Sequence, residues 1–301
     1  MLPIRNVVSF DVEDYFQVGA FEDSVSTLEW DRFPSRVEAN TDKILKMMDD
    51  TKRVGTFFVL GWVAEKFPAL VRRIAEQGHE VGCHSHLHRR VFTLTPESFR
   101  SDTQKAKAAI ENALGGPIYG YRAPNFSITD RSLWALAILA ELGFHYDSSI
   151  FPIKHPDYGM PGVSRFPFRV QTASGPLVEF PLTTIAIGQR RSPMSGGAYL
   201  RLLPYSYLRW GLGYLNRVER QPFCVYLHPW ELDPEQPHVS ASFSASLRHR
   251  MGLRSTEKKF DRLLRGFSYA TMRELTVGLQ NGGLGSMETI PVSALSLASL
   301  S

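Results

Sequence analysis

At 301 residues, with 43% hydrophobic and 21% charged side chains, the chain has a globular composition and is long enough for one large α/β barrel or two ordinary domains. A formal net charge of +4, spread along the chain, gives no support for a nucleic-acid groove, although a mildly anionic polymer would not be repelled. There is no apolar run of about 18 residues and no signal-like leader, so no stable membrane insertion is expected. Cys83 and Cys224 are too isolated for a zinc finger or a disulfide framework, and a soluble, cytoplasmic protein is expected.

In chain order, residues 6–12 read as a buried strand that ends in the acidic cluster Asp11, Glu13 and Asp14. A helix over 41–48, a strand over 54–60, a helix over 62–77 closed by Gly78, and a strand over 79–84 follow. The rhythm continues through helix 96–114, strand 118–122, helix 130–142 and strand 144–148, which predicts parallel strands joined by crossover helices. From 151 the chain becomes rich in Pro and Gly, with strands expected at 163–170 and 177–187 in a decorating insertion over 151–220. A helix at 204–217, a strand at 222–228 and helices at 255–265 and 271–280 complete a barrel expected to span 1–280, with its core in 5–150 and 220–280. The stretch Tyr199 to Val218 could be an amphipathic membrane helix, but its Leu and Tyr spacing is better explained by packing on the barrel. Residues 281–301, rich in Gly, Ser and Ala, are expected to form a disordered tail.

The residues able to do chemistry fall at or just after predicted strand ends, which in a parallel barrel share one rim. His84 and His88 are four apart as the chain leaves a strand, a spacing that lets two imidazoles face one point and hold zinc or a similar metal at about 2.0–2.1 Å. A histidine-rich surface loop is the plainer alternative, and His86 should point elsewhere. Asp11 and Glu13 project to one face of an extended strand, whereas Asp14 joins them only if the strand bulges. Taken alone, the acidic cluster could equally be a solvated loop. Arg122 could be a structural arginine and His228 a satisfied core histidine.

Together these segments resemble the polysaccharide deacetylase family, carbohydrate esterase family 4 with the NodB-homology domain, over roughly residues 5–150 and the strand near 225. His84-Ser85-His86-Leu87-His88 matches the family's His-Ser/Thr-x-x-His motif, and Arg122-Ala123-Pro124 matches its Arg-x-Pro motif. The strings DVEDYF and YLHPWELDP are similar to the branch associated with exosortase (PEP-CTERM) loci and exopolysaccharide biosynthesis. The resemblance implies an α/β fold, a distorted (β/α) barrel of about seven parallel strands with a C-terminal extension. It implies a metal-dependent hydrolase that removes N-acetyl groups from an amino-sugar polysaccharide or oligosaccharide, with zinc the favoured divalent metal.

Carried over by position, Asp11 becomes the general base and His84 and His88 metal ligands. The family's adjacent Asp-Asp pair is absent, so the acidic ligand is Glu13, favoured by its facing, or Asp14, favoured by its carboxylate type, with a slight preference for Glu13. Arg122 would orient Asp11 through a bidentate pair, and His228 would act as general acid, its ordinary pKa of about 6.5 suiting that work. Asp147 could hold the tautomer of His228 or cap a turn. Tyr15, Pro124 and Trp230 are candidates for the substrate side, although for Tyr15 and Trp230 ordinary packing is the favoured reading. Two other readings stand beside this one: a metal-free glycoside hydrolase using Asp11, Glu13 and Asp14, and a non-catalytic sugar-binding protein. Nothing in the sequence fixes the oligomeric state.

Overall fold

The computed structural model describes residues 4–155, 157–280 and 287–298. The first strand, β1 (Arg5–Val12), is followed by α1 (Val37–Thr51), β2 (Thr56–Val59), α2 (Gly61–Lys66), α3 (Pro68–Glu76) and β3 (Glu80–Cys83). Then come α4 (Pro96–Leu114), β4 (Gly120–Tyr121), α5 (Trp134–Glu141), β5 (Tyr146–Asp147), β6 (Phe168–Thr172), β7 (Gly175–Glu179), β8 (Thr184–Ile187) and β9 (Arg190–Pro193). The chain continues through α6 (Gly197–Leu202), α7 (Tyr205–Tyr214), β10 (Cys224–Leu227), α8 (Phe243–Arg250), α9 (Leu253–Gly266), β11 (Ser268–Tyr269), α10 (Met272–Gln280), β12 (Thr289–Pro291) and α11 (Val292–Ala298).

The main sheet runs β10-β1-β2-β3-β4-β5-β7-β6-β12, with β11 also on β1. From β10 to β7 every pairing is parallel, which gives the expected seven strands. Among the described residues β10 and β12 do not pair, so the barrel is open there. β1 is buried from Asn6 to Val12, as a strand covered on both faces must be, and its Val8 and Phe10 share a core with Ile44 and Met48 of α1, Phe57 of β2 and Ile110 of α4.

Three expectations are corrected. The single helix expected over 62–77 is two, because Pro68 has no N–H to continue α2 and instead occupies the first turn of α3. The insertion is not decoration throughout: β7 extends the parallel sheet beside β5, and β6 pairs antiparallel with it, while β8 and β9 form a separate hairpin. The tail is not disordered over 287–298, since β12 pairs with β6 and Leu295 of α11 joins the core. A short terminal stretch can order when an unpaired sheet edge supplies its hydrogen bonds and its apolar side chains reach the core. Residues 281–286 and 299–301 lie outside the described residues.

Candidate active site

Strand register brings the rim residues together. Phe10 pairs with Leu227, which sets Asp11 and His228 at one level, and Cys83 pairs with both Val59 and Tyr121, so His84 and Arg122 follow their strands side by side. Beyond β3 the backbone takes left-handed conformations at Ser85 (φ 62°) and His88 (φ 53°), costly for residues with a Cβ and held here by the packed rim. The Ser85 hydroxyl accepts the His88 N–H at 3.1 Å. His86 points away, its Nε2 3.8 Å from Glu65.

Glu13, His84 and His88 each offer a ligand atom, and these atoms lie within 4.8 Å of one another. His84 Nδ1 donates to the Arg122 carbonyl at 2.9 Å, which leaves Nε2 with its lone pair free for a ligand bond. Burial lowers the His84 pKa to about 4, so the ring is neutral at pH 7, the form a metal requires. The Glu13 carboxylate is buried. Its Oε1 accepts the Trp230 indole N–H at 3.2 Å, while Oε2 stands 2.7 Å from His88 Nε2 without a hydrogen bond of acceptable geometry. Burial alone would raise Glu13, yet the charges of His88 and His228 outweigh it and hold the carboxyl at about 2. An ionised, buried carboxylate beside two imidazoles is a donor set that fits a divalent cation.

Asp11 reaches the same place: His228 Nε2 is 4.0 Å from Asp11 Oδ2 and 3.6 Å from Glu13 Oε1. Arg122, wholly buried, donates from Nη1 to Asp11 Oδ1 at 2.8 Å. The expected bidentate pair does not form, because Nη1 also serves Ser9 Oγ while Nε and Nη2 serve the Ser148 carbonyl and hydroxyl. His228 is pressed down by burial and lifted more by Glu13, Glu231 and Asp11, which brings it to about 9 and keeps it protonated at neutral pH.

Several predicted site residues serve elsewhere. Asp14 turns away and accepts from Ser35 Oγ (2.6 Å) and the backbone N–H groups of Tyr15, Arg36 and Val37, capping the entry to α1, so the acidic position in the cluster belongs to Glu13. Asp147 does not touch His228; it accepts from Ser149 Oγ and shares a buried site with Glu179, where burial raises both carboxyls. Tyr15 is buried, its hydroxyl on the Pro34 carbonyl, and so offers no sugar platform. Trp230 is buried too, stacked between His228 (5.1 Å) and His249 (4.2 Å). Pro124 is buried at the start of a short turn after Arg122.

Sequence reasoning missed Glu231, the residue that orients His228. Its Oε1 lies 2.7 Å from His228 Nδ1 and accepts the His228 backbone N–H at 3.2 Å, while Oε2 pairs with the buried Arg201 at 2.9 Å. The spacing His-x-x-Glu was the available signal, since an acid three residues after a helix cap returns to the cap. Arg201 comes from α6 in the insertion and had no local signal. Gly197 opens α6 against this carboxylate, and a Cβ there would lie 1.7 Å from Glu231 Oε1.

The open α/β barrel thus joins on one rim two imidazoles, a buried glutamate and an arginine-held aspartate. Residues 19–146 match the family model for polysaccharide deacetylase and 148–277 match a domain of unknown function (DUF3473). Over the first of these stretches the chain is similar to polysaccharide deacetylases. It is 33% identical to a peptidoglycan-N-acetylglucosamine deacetylase of Bacillus cereus over 32% of this chain and 35% of that one. It is 26% identical to a chitooligosaccharide deacetylase of Bradyrhizobium sp. (strain ANU 289) over 45% of this chain and 60% of the relative, so the chain covers about a third of the first relative and less than two thirds of the second. A crystal structure from Mycobacterium smegmatis, described as a candidate polysaccharide deacetylase, shares the fold over 96% of this chain and 97% of that one, with a TM-score of 0.63 at 18% identity.

Proposed function

We propose that the protein hydrolyses N-acetyl groups of an N-acetylated amino-sugar polymer, in exopolysaccharide biosynthesis, with a divalent cation held by Glu13, His84 and His88. The carrying observation is the convergence of these three ligands beside Asp11. The His, His, carboxylate donor set favours zinc. The relatives named for N-acetylglucosamine and chitooligosaccharide substrates support the substrate class. The exopolysaccharide role rests on the DVEDYF and YLHPWELDP strings.

When bound, the cation supplies Lewis acidity toward an acetamide carbonyl and the attacking water. Asp11, fixed by Arg122, takes a proton from that water as its oxygen adds to the carbonyl carbon. His228, held by Glu231 through Nδ1, gives a proton to the nitrogen as the C–N bond breaks, releasing acetate and a free amine.

The test is acetate release from N-acetylglucosamine oligomers, measured with and without chelator and after return of zinc, together with metal content. Asp11→Asn should keep its metal and lose about a thousandfold in kcat, within the usual range for removing a general base, whereas His84→Ala should lose both metal and activity. Release that survives chelation, or a fully active Asp11→Asn, would remove this reading, and cleavage of the glycosidic bond without acetate release would favour a glycoside hydrolase.

A further inference from the structure

Between Glu179 and Glu219 the chain carries five arginines and no acidic residue. Arg201 is spent on Glu231 and Arg191 on the carbonyls of Pro152 and Val163. Arg190, Arg209 and Arg217 are exposed, and none of the ion pairs among the described residues involves them. They accompany an aromatic ladder on the outer side of α7, where Tyr207, Trp210 and Tyr214 follow at ring distances of 5.7 and 6.3 Å. The opposite side of α7 packs inward through Tyr205, Leu208 and Leu212. Trp210 remains 49% exposed and Val218, in the π-helical turn Leu215–Glu219 that continues α7, 60%.

The β8–β9 hairpin lies against this helix. Ser192 Oγ is 3.0 Å from Tyr207 Oη, and Ile185 and Met194 approach Gly211. At the hairpin's tip Ile187 is 48% exposed and pairs across with Arg190. Helix and hairpin thus present tryptophan, tyrosine and aliphatic side chains interleaved with unpaired guanidinium groups.

We infer that the outer face of α7 and the tip of the β8–β9 hairpin dock onto the surface of an anionic phospholipid bilayer. Indole and phenol rings settle at the headgroup level, exposed aliphatic chains gain by entering the acyl boundary, and arginines pair with lipid phosphates. A lone anionic polymer would match the arginines but would leave Trp210, Ile187 and Val218 in water. The attachment is peripheral, since no helix among the described residues is long and apolar enough to cross a membrane. The inference does not depend on the deacetylase reading.

The test is co-sedimentation of the full chain with phosphatidylglycerol–phosphatidylcholine vesicles and with pure phosphatidylcholine vesicles, at low and high salt. Binding is expected only to the anionic vesicles and should weaken with salt. Trp210→Ser and the double variant Arg209→Glu/Arg217→Glu should each reduce partitioning about tenfold or more, with thermal melting unchanged; if one variant melts early, the other decides. Failure to bind anionic vesicles at low salt overturns the inference. So does undiminished binding by a folded variant, or a face that instead mediates self-association in sedimentation velocity without vesicle binding.

Discussion

Glu13 and His228 are perturbed in opposite directions by the same juxtaposition, the carboxyl held near 2 and the imidazole lifted to about 9. A histidine raised by folding from 6.5 adds stability that is complete below pH 6.5 and disappears as pH rises through about 9. A glutamate lowered from 4.5 adds stability that is complete above pH 4.5 and disappears as pH falls through about 2. Urea unfolding of the metal-free protein should therefore show stability declining between pH 6.5 and 9, and His228→Gln should flatten that limb. An unchanged slope in the variant would mean that His228 is not protonated in the folded state. At this scale the choice between Glu13 and Asp14 was only half legible: alternation along the strand favoured Glu13, but the capping of α1 that occupies Asp14 involves residues more than twenty positions away.

The elements around β10 show how the second domain enters the site. β10 delivers His228 by register with β1, the turn after it returns Glu231, and α6 brings Arg201 and the bare backbone of Gly197 against that carboxylate. Gly197→Ala should fold, but it would displace Glu231, whose buried oxygens have no spare room. A fall of about 10- to 100-fold in kcat, typical when the partner of an active-site histidine is disturbed, is the expected result in steady-state assays. Full activity would show that Glu231 does not position His228. His228 could be read from its strand end, whereas the Arg201 contact could not, because a side chain's ion-pair partner leaves no periodic trace in sequence.

For the whole molecule, β12 and α11 matter more than their composition suggests. β12 covers the edge of β6 and Leu295 is buried in the main core. Removing residues 287–301 should cost about 2 kcal/mol for the Leu295 side chain alone, and it uncovers an edge that invites association. Lower thermal stability with concentration-dependent aggregation is expected in calorimetry and light scattering, and a truncated chain as stable and monomeric as the parent would show that this closure contributes nothing.

The sequence by itself determined the strand–helix alternation and the placing of Asp11, His84, His88, Arg122 and His228 at strand ends on one rim, because burial imposes local periods and parallel strands end on a common side, while the seven-strand barrel was implied by the family resemblance. Only the tertiary structure decided that Asp14 is drawn off to the entry of α1, that Asp147 pairs with Glu179, and that Glu231 and Arg201 support His228. Those outcomes depend on which buried polar groups find partners across long stretches of chain, a competition settled by packing and desolvation together.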